Sequence, residues 1–180
     1  DDADIIAGQG TVGLELLQDA EPLDAMLVCC SGGGLVAGCA LAVEGLQANT
    51  AVFAVEPLEF NDHQRSLHNG ARERIEPGST SICDALLAPT PGELTFAINQ
   101  RLLAGGLAVS DEEVLLAMAF AFEHLKLVLE PGGAVALAAL LSGKVPDHYR
   151  SVGIVLSGGN VDPAVFAAAI NADSNSQKTF

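Results

Sequence analysis

Four short stretches of this 180-residue chain hold residue types that could do chemistry. The first is Ser31-Gly32-Gly33-Gly34-Leu35-Val36-Ala37-Gly38, between an apolar run and a helical stretch. Glycines there let successive backbone N–H groups and a helix N-terminus point at one spot, which makes an anion site suited to a phosphate. A bare strand-to-helix turn would need fewer glycines, because each adds chain entropy that folding must overcome. The second stretch is Ser157-Gly158-Gly159-Asn160-Val161-Asp162, where Ser157 and Asn160 offer side-chain hydrogen bonds and Asp162 reads as the cap of a following helix. Glu56-Pro57-Leu58-Glu59-Phe60-Asn61-Asp62 is dense in oxygen donors and could start a hard-cation site, although acidic surface loops are common. The fourth is Glu130, in the apolar stretch 126–134 and just before Pro131, where a carboxylate must be paired, protonated or at work.

Which phosphate ligand the first loop takes is open from spacing alone. A Walker A loop is excluded, since no Gly-Lys-Ser/Thr follows. Gly32, Gly34 and Ala37 do match G-x-G-x-x-A, and Glu56 ends the next apolar run, where a ribose-binding acid belongs in a nicotinamide-dinucleotide site. Gly8, Gly10 and Gly13 repeat the pattern but read as the start of a helix.

The elements that must position these residues alternate as strand-like and helical runs, which predicts an α/β fold with a parallel, twisted sheet covered by helices on both faces. The strands are expected at 25–30, 51–56 and 151–156, and helices at 35–47, from Ser110 onward, at 132–141 and at 163–169. Ser110 and Glu113 form a capping box, and Val114, Met118, Ala121, Phe122 and Leu125 recur as one buried helix face. The polar stretch 171–180 reads as a tail, and residues 1–170 as a single cofactor-binding unit.

Composition narrows the function. With 49% hydrophobic residues and a mean hydropathy of +0.37, the chain has the means to build a core. Its net charge of −15 disfavours nucleic acid, and Arg65, Arg72 and Arg74 read as a solvated surface. No apolar run approaches the roughly 18 residues of a membrane span. Cys29, Cys30, Cys39 and Cys83 lack C-x-x-C spacing, so buried thiols in a reducing cytoplasm are expected rather than a disulfide framework or a zinc site. A secretory leader is not read in the first residues, and the missing initiator Met suggests a chain cut from something longer.

Six motifs in order, IAGQGTVGLEL, SGGGLVAG, VEPLEFND, SDEEV, KLVLEPGGAVALAALLSGK and VLSGGNVD, resemble the later half of fold type II pyridoxal-phosphate enzymes of the serine/threonine dehydratase and serine racemase family, with a tryptophan synthase β-like architecture. The resemblance implies pyridoxal 5'-phosphate as cofactor, held at its phosphate by Ser31, Gly32, Gly33, Gly34 and Leu35, with Ser157 at the pyridine nitrogen and Asn160 beside it. It further implies a site for Mg, Mn or Ca at Glu56, the Phe60 carbonyl and Asp62, a supporting role for Glu130, and a homodimer. Phe60 and Asn61 stand where the family has smaller or acidic residues, and Ala85 replaces a common glycine after Asp84. The implied activity is removal of water from a β-hydroxy amino acid such as threonine, serine or hydroxyaspartate, giving a 2-oxo acid and ammonia; a racemase on the same pocket is the neighbouring alternative. None of Lys126, Lys144 and Lys178 lies in the family's motif for the cofactor-bearing lysine, so this stretch by itself is expected to be inactive and to complement an N-terminal part of the same enzyme.

Overall fold

A computed structural model describes residues 1–46 and 48–176, leaving aside the side chains of 173–176. Its centre is a four-stranded parallel sheet ordered β3-β2-β1-β4, formed by β1 (Ala25–Cys29), β2 (Ala51–Pro57), β3 (Gly105–Val109) and β4 (Val152–Ile154). Helices α1 (Ala3–Asp19), α2 (Gly34–Gly45), α3 (Asp62–Asn69), α4 (Glu93–Leu102), α5 (Asp111–Phe120), α6 (Pro131–Leu141) and α7 (Pro163–Ser176) surround it. Among the described residues no helix is long and apolar enough to cross a membrane.

The two-residue alternation of a strand divides the core in two. Ala25, Leu27, Cys29, Phe53 and Val55 face α5, α6 and α7, whereas Met26, Val28, Cys30, Val52 and Ala54 face α2 and the end of α1. The central strands are therefore apolar on both faces, as covered parallel strands must be. Helix α6 is buried almost all round, from Pro131 to Ala139, so it lacks a polar stripe.

The expected strands at 25–30, 51–56 and 151–156 and the helices beginning near 35, 110 and 132 are present with small shifts at their ends. The capping box is intact: Ser110 Oγ accepts from Glu113 N, and Glu113 Oε2 accepts from Ser110 N at 2.7 Å. Its helix, however, widens into a π-turn over Ala121–Leu125, which rotates the next side chains off the expected face. Phe122 and Leu125 are consequently exposed, while Val114, Met118 and Ala121 are buried. The last helix runs beyond 169 to Ser176, and the rest of the predicted polar tail lies outside the described residues.

Gly10 and Gly13 are not at a helix start. They lie in the middle of α1, where its backbone meets that of α2. A Cβ on Gly10 would stand 2.8 Å from Gly38 O, and one on Gly13 would stand 2.9 Å from Cys39 Cα. No side chain fits between the helices there. Gly8, in contrast, faces solvent with nothing within 4 Å.

This contrast sets an internal control. Gly10→Ala or Gly38→Ala should overpack the crossing and cost about 1–3 kcal/mol, whereas Gly8→Ala should add about 0.5–1 kcal/mol by restricting the unfolded chain. Urea unfolding of the three variants checks both signs.

Candidate cofactor and cation site

Parallel pairing of β1 with β4 brings the loops leaving their carboxyl ends to one rim of the sheet. Ser157 Oγ lies 3.1 Å from Cys29 Sγ, so the second glycine-rich loop meets the end of β1. Burial pushes the Cys29 thiol up and keeps it protonated.

The 31–35 loop is shaped for an anion. Gly33 caps α2 with a left-handed φ of 96°, and no side chain caps the helix, leaving its first N–H groups to a ligand. A Cβ on Gly32 or Gly34 would meet open space, so the cradle has room beside it. The loop is held from behind. Ser31 Oγ accepts from Ala88 N, Gly32 O accepts from Gly92 N and Thr95 Oγ1, and Gly33 O accepts from Ala37 N and Asn99 Nδ2.

Glu130 is the N-cap of α6, with Pro131 in the first turn as the sequence suggests. Its Oε2 accepts from Asn160 N at 3.0 Å, and its own N–H donates to Gly158 O. A Cβ on Gly158 would lie 2.6 Å from this carboxylate, so glycine is required for the contact. Glu130 thus holds the 157–160 loop against α6. Asp162 caps α7 by accepting from Ala164 N at 2.7 Å. Ala85 packs near Gly132, where an added Cβ would meet it at 3.4 Å.

The 56–62 stretch is not a solvated acidic surface, which corrects the plain reading of its composition. Glu56 is wholly buried and Asp62 is 2% exposed. Glu56 accepts from His63 N at 2.9 Å and from Gln64 N at 2.8 Å, which satisfies two of the free donors that open α3. Burial nevertheless pushes Glu56 well above the usual carboxylate range and Asp62 up to about 6. Asp62 Oδ2 has no hydrogen-bond partner, as suits an oxygen donor awaiting a cation. Phe60 ends a short 3₁₀ turn, Leu58–Phe60, with its side chain buried. Arg65, expected on a solvated surface, is half-buried, and its positive charge draws down both Glu56 and Asp62.

The inward bonds of Glu56 also bear on the dinucleotide reading. Strand order alone cannot separate the two folds, since 3-2-1-4 is also the order of a dinucleotide half-domain. A ribose-binding acid must be open to a solvent-borne ligand, and this carboxylate is wholly buried and bonded to the start of α3.

Sequence reading missed His63 and Asn99. Both are wholly buried, Asn99 Nδ2 lies 3.0 Å from His63 Nε2, and a Cβ on Gly33 would lie 2.7 Å from that ring. Burial lowers His63 to about 4, so it is neutral. Strand register offered one signal: Cys29 pairs with Val55, so Cys30 and Glu56 come next on the same face.

Residues 1–158 match the family described as pyridoxal-phosphate dependent enzyme. The chain is 40% identical over 174 residues to serine racemase from Dictyostelium discoideum, covering 95% of itself and 53% of that protein. Against the L-threo-3-hydroxyaspartate ammonia-lyase of Saccharomyces cerevisiae it is 41% identical over 171 residues, covering 95% and 52%. Among solved structures, the processed form of threonine deaminase isoform 2 from Solanum lycopersicum superposes with a TM-score of 0.86 at 28% identity, covering 96% of this chain and 50% of that one. The chain spans about half the length of the curated relatives it matches.

Asp62 gives a pH test. Burial raises it from the ordinary 3.8 to about 6, so the folded protein binds this proton more tightly. The favourable contribution is complete below pH 3.8 and is lost as pH rises through 6. Asp62→Asn, in the presence of a chelator, should therefore be more stable than the parent by on the order of 2–3 kcal/mol at pH 7.5, with the gain vanishing near pH 4. Urea midpoints at the two pH values, taken as differences from the parent, cancel the opposite contribution of His63.

Proposed function

Because this chain belongs to the pyridoxal-phosphate dependent enzyme family, we propose that it is the later part of an ammonia-lyase that removes water from a β-hydroxy amino acid such as threonine, serine or 3-hydroxyaspartate. The products are a 2-oxo acid and ammonia. The observation that carries this reading is the uncapped, glycine-lined N-terminus of α2 on the same rim as Ser157. When bound, pyridoxal phosphate supplies the electron sink that makes the substrate α-carbon acidic.

The chain's own residues bind and orient. Backbone N–H groups of Gly32, Gly33, Gly34 and Leu35, with Ser31, hold the phosphate; these donors are fixed in place and need no reorganisation. Ser157 would meet the pyridine nitrogen with a hydroxyl, which could not keep that nitrogen protonated as a carboxylate would. A cofactor held in this way would supply a weaker electron sink, which suits elimination of a β-hydroxyl group. Asn160 and Glu130 keep this loop in register through the Asn160 N–H bond to the Glu130 carboxylate. Glu56, the Phe60 carbonyl and Asp62 hold a divalent cation, for which the orphaned Asp62 Oδ2 is the supporting observation. The cofactor-bearing lysine and the substrate-carboxylate loop come from the rest of the protein, which works as a homodimer. Four unpaired buried cysteines suit a reducing compartment such as the cytoplasm.

Serine racemase stands among the relatives, so racemisation on the same pocket is the second reading. Incubating the full-length protein and pyridoxal phosphate with threonine, serine and hydroxyaspartate distinguishes the two. Release of 2-oxo acid and ammonia supports the lyase, and D-serine formed without oxo acid supports the racemase. Absence of both, with dinucleotide binding instead, would overturn the cofactor assignment. Gly33→Ala should weaken cofactor binding by at least about tenfold, a loss of roughly 1.4 kcal/mol, because its Cβ would strike His63 and the left-handed φ excludes side chains. Fluorescence titration of the cofactor reads that change.

A further inference from the structure

We infer that Cys30, Glu56 and His63 form a buried site for a thiophilic divalent transition ion of the zinc and cobalt class. The inference rests on the cation reading above for its shared ligand, Glu56, and gives that carboxylate sulfur and nitrogen partners in place of the oxygen ligands.

The ligand atoms of the three side chains lie within 4.8 Å of one another, and His63 Nδ1 is 3.9 Å from Glu56 Oε1. All three residues are shut off from solvent. Two are only weakly engaged. The His63 ring and the Cys30 thiol both lie beside the Ser31 carbonyl, Cys30 at 3.7 Å, and His63 Nδ1 is buried without a well-formed hydrogen bond. Asp62, next in the chain to His63, adds an orphaned Oδ2, and its negative charge is felt by both Cys30 and Glu56.

The donor chemistry decides the ion. Sulfur and imidazole nitrogen suit zinc-like ions, whereas magnesium and calcium take oxygen ligands. Metal–ligand bonds of about 2.0–2.3 Å imply ligand separations of roughly 3.3–3.8 Å, so the observed cluster must close by about an ångström, within reach of side-chain torsions. On binding, the thiol proton leaves for solvent, and the thiolate and carboxylate charges together match the ion's two positive charges. The ion thereby resolves what is otherwise a set of poorly partnered polar groups in the core.

An outer partner is also present. Ligation through Nδ1 puts the ring hydrogen on Nε2, 3.0 Å from the Asn99 amide. A half-turn of that amide offers its oxygen to this N–H and gives up the 3.4 Å bond to Gly33 O. Asn99 Oδ1, which has no partner otherwise, then has one.

The test uses the full-length protein, expressed in cobalt-supplemented medium and washed with a weak chelator. An equimolar content of cobalt with a near-ultraviolet thiolate-to-cobalt charge-transfer band is expected. Cys30→Ala should abolish the band, and Asn99→Ala should weaken cobalt binding by about 10–100-fold. Should Cys30→Ala fail to fold by circular dichroism, a chain with Cys29, Cys39 and Cys83 all changed to Ala must keep the band. Absence of cobalt, cobalt bound without the band, or loss of the band in that triple variant would each overturn the site. The readout needs neither cofactor nor turnover, so failure of the lyase reading leaves it unchanged. Cobalt bound without the band but dependent on Asp62 would return the oxygen-ligand site in its place.

Discussion

The organisation of the site depends on one buried carboxylate. Glu56 ends β2 and takes the N–H groups of His63 and Gln64, so it fixes where α3 begins and how it leaves the sheet. That fixes the His63 ring, which stands under Gly33 and shares a hydrogen bond with Asn99, whose amide reaches the Gly33 carbonyl. The shape of the proposed phosphate cradle is thus set from below by an acid that acts on it through His63 and Asn99. Burial of the acid costs free energy, as its raised pKa records, and two backbone donors only partly offset this cost.

Strand alternation gives the two adjacent cysteines different neighbours. Cys29 points to the α6 side and meets Ser157, while Cys30 points to the α2 side and meets Glu56 and His63. Each face therefore delivers one polar group to the same end of β1. Helix α2 cannot drift relative to that end, because its Gly38 backbone is locked against Gly10 of α1. The rigid crossing keeps the unsatisfied N–H groups of α2 aimed at one place, which is the preorganisation that anion binding requires.

Much of this was legible in the residues. Continuous apolar runs marked β1 and β2, the capping box marked α5, and the glycine loops marked the rim. Helix α4 went unread, and three further elements hid their placement. Helix α1 carries Gly8, Gly10 and Gly13, which read as the start of a helix rather than its middle until the facing glycine of α2 is known. Helix α3, DHQRSLHN, is polar nearly throughout, yet buries Asp62, His63 and Ser66. Strand β3 opens on Gly105 and Gly106, and an added Cβ on Gly106 would lie 2.7 Å from Gln64 Cα, so the glycine serves α3 rather than the strand. In each case the deciding contact comes from a segment distant in sequence, which local pattern cannot report. The burial of Glu56 and Asp62 was hidden for the same reason.

A chain with a net charge of −15 is an unpromising receptor for a phosphate dianion, and the fold answers this locally. Charges on the far surface are screened over about 8 Å at physiological salt, so the groups beside the loop decide. Those groups are backbone dipoles at the start of α2, a neutral His63, and a Glu56 whose ionisation burial opposes. The region behind the cradle therefore carries little negative charge beyond that of Asp62, which Arg65 opposes, even though the surface is rich in it. A divalent ion at Glu56, under either reading of that site, would shift the balance further toward positive. Coupling of this kind is reciprocal: an ion that favours the phosphate is itself favoured by the phosphate. The proposed cation site and cofactor cradle would then behave as one electrostatic unit, with α3 and Asn99 as the physical connection between them.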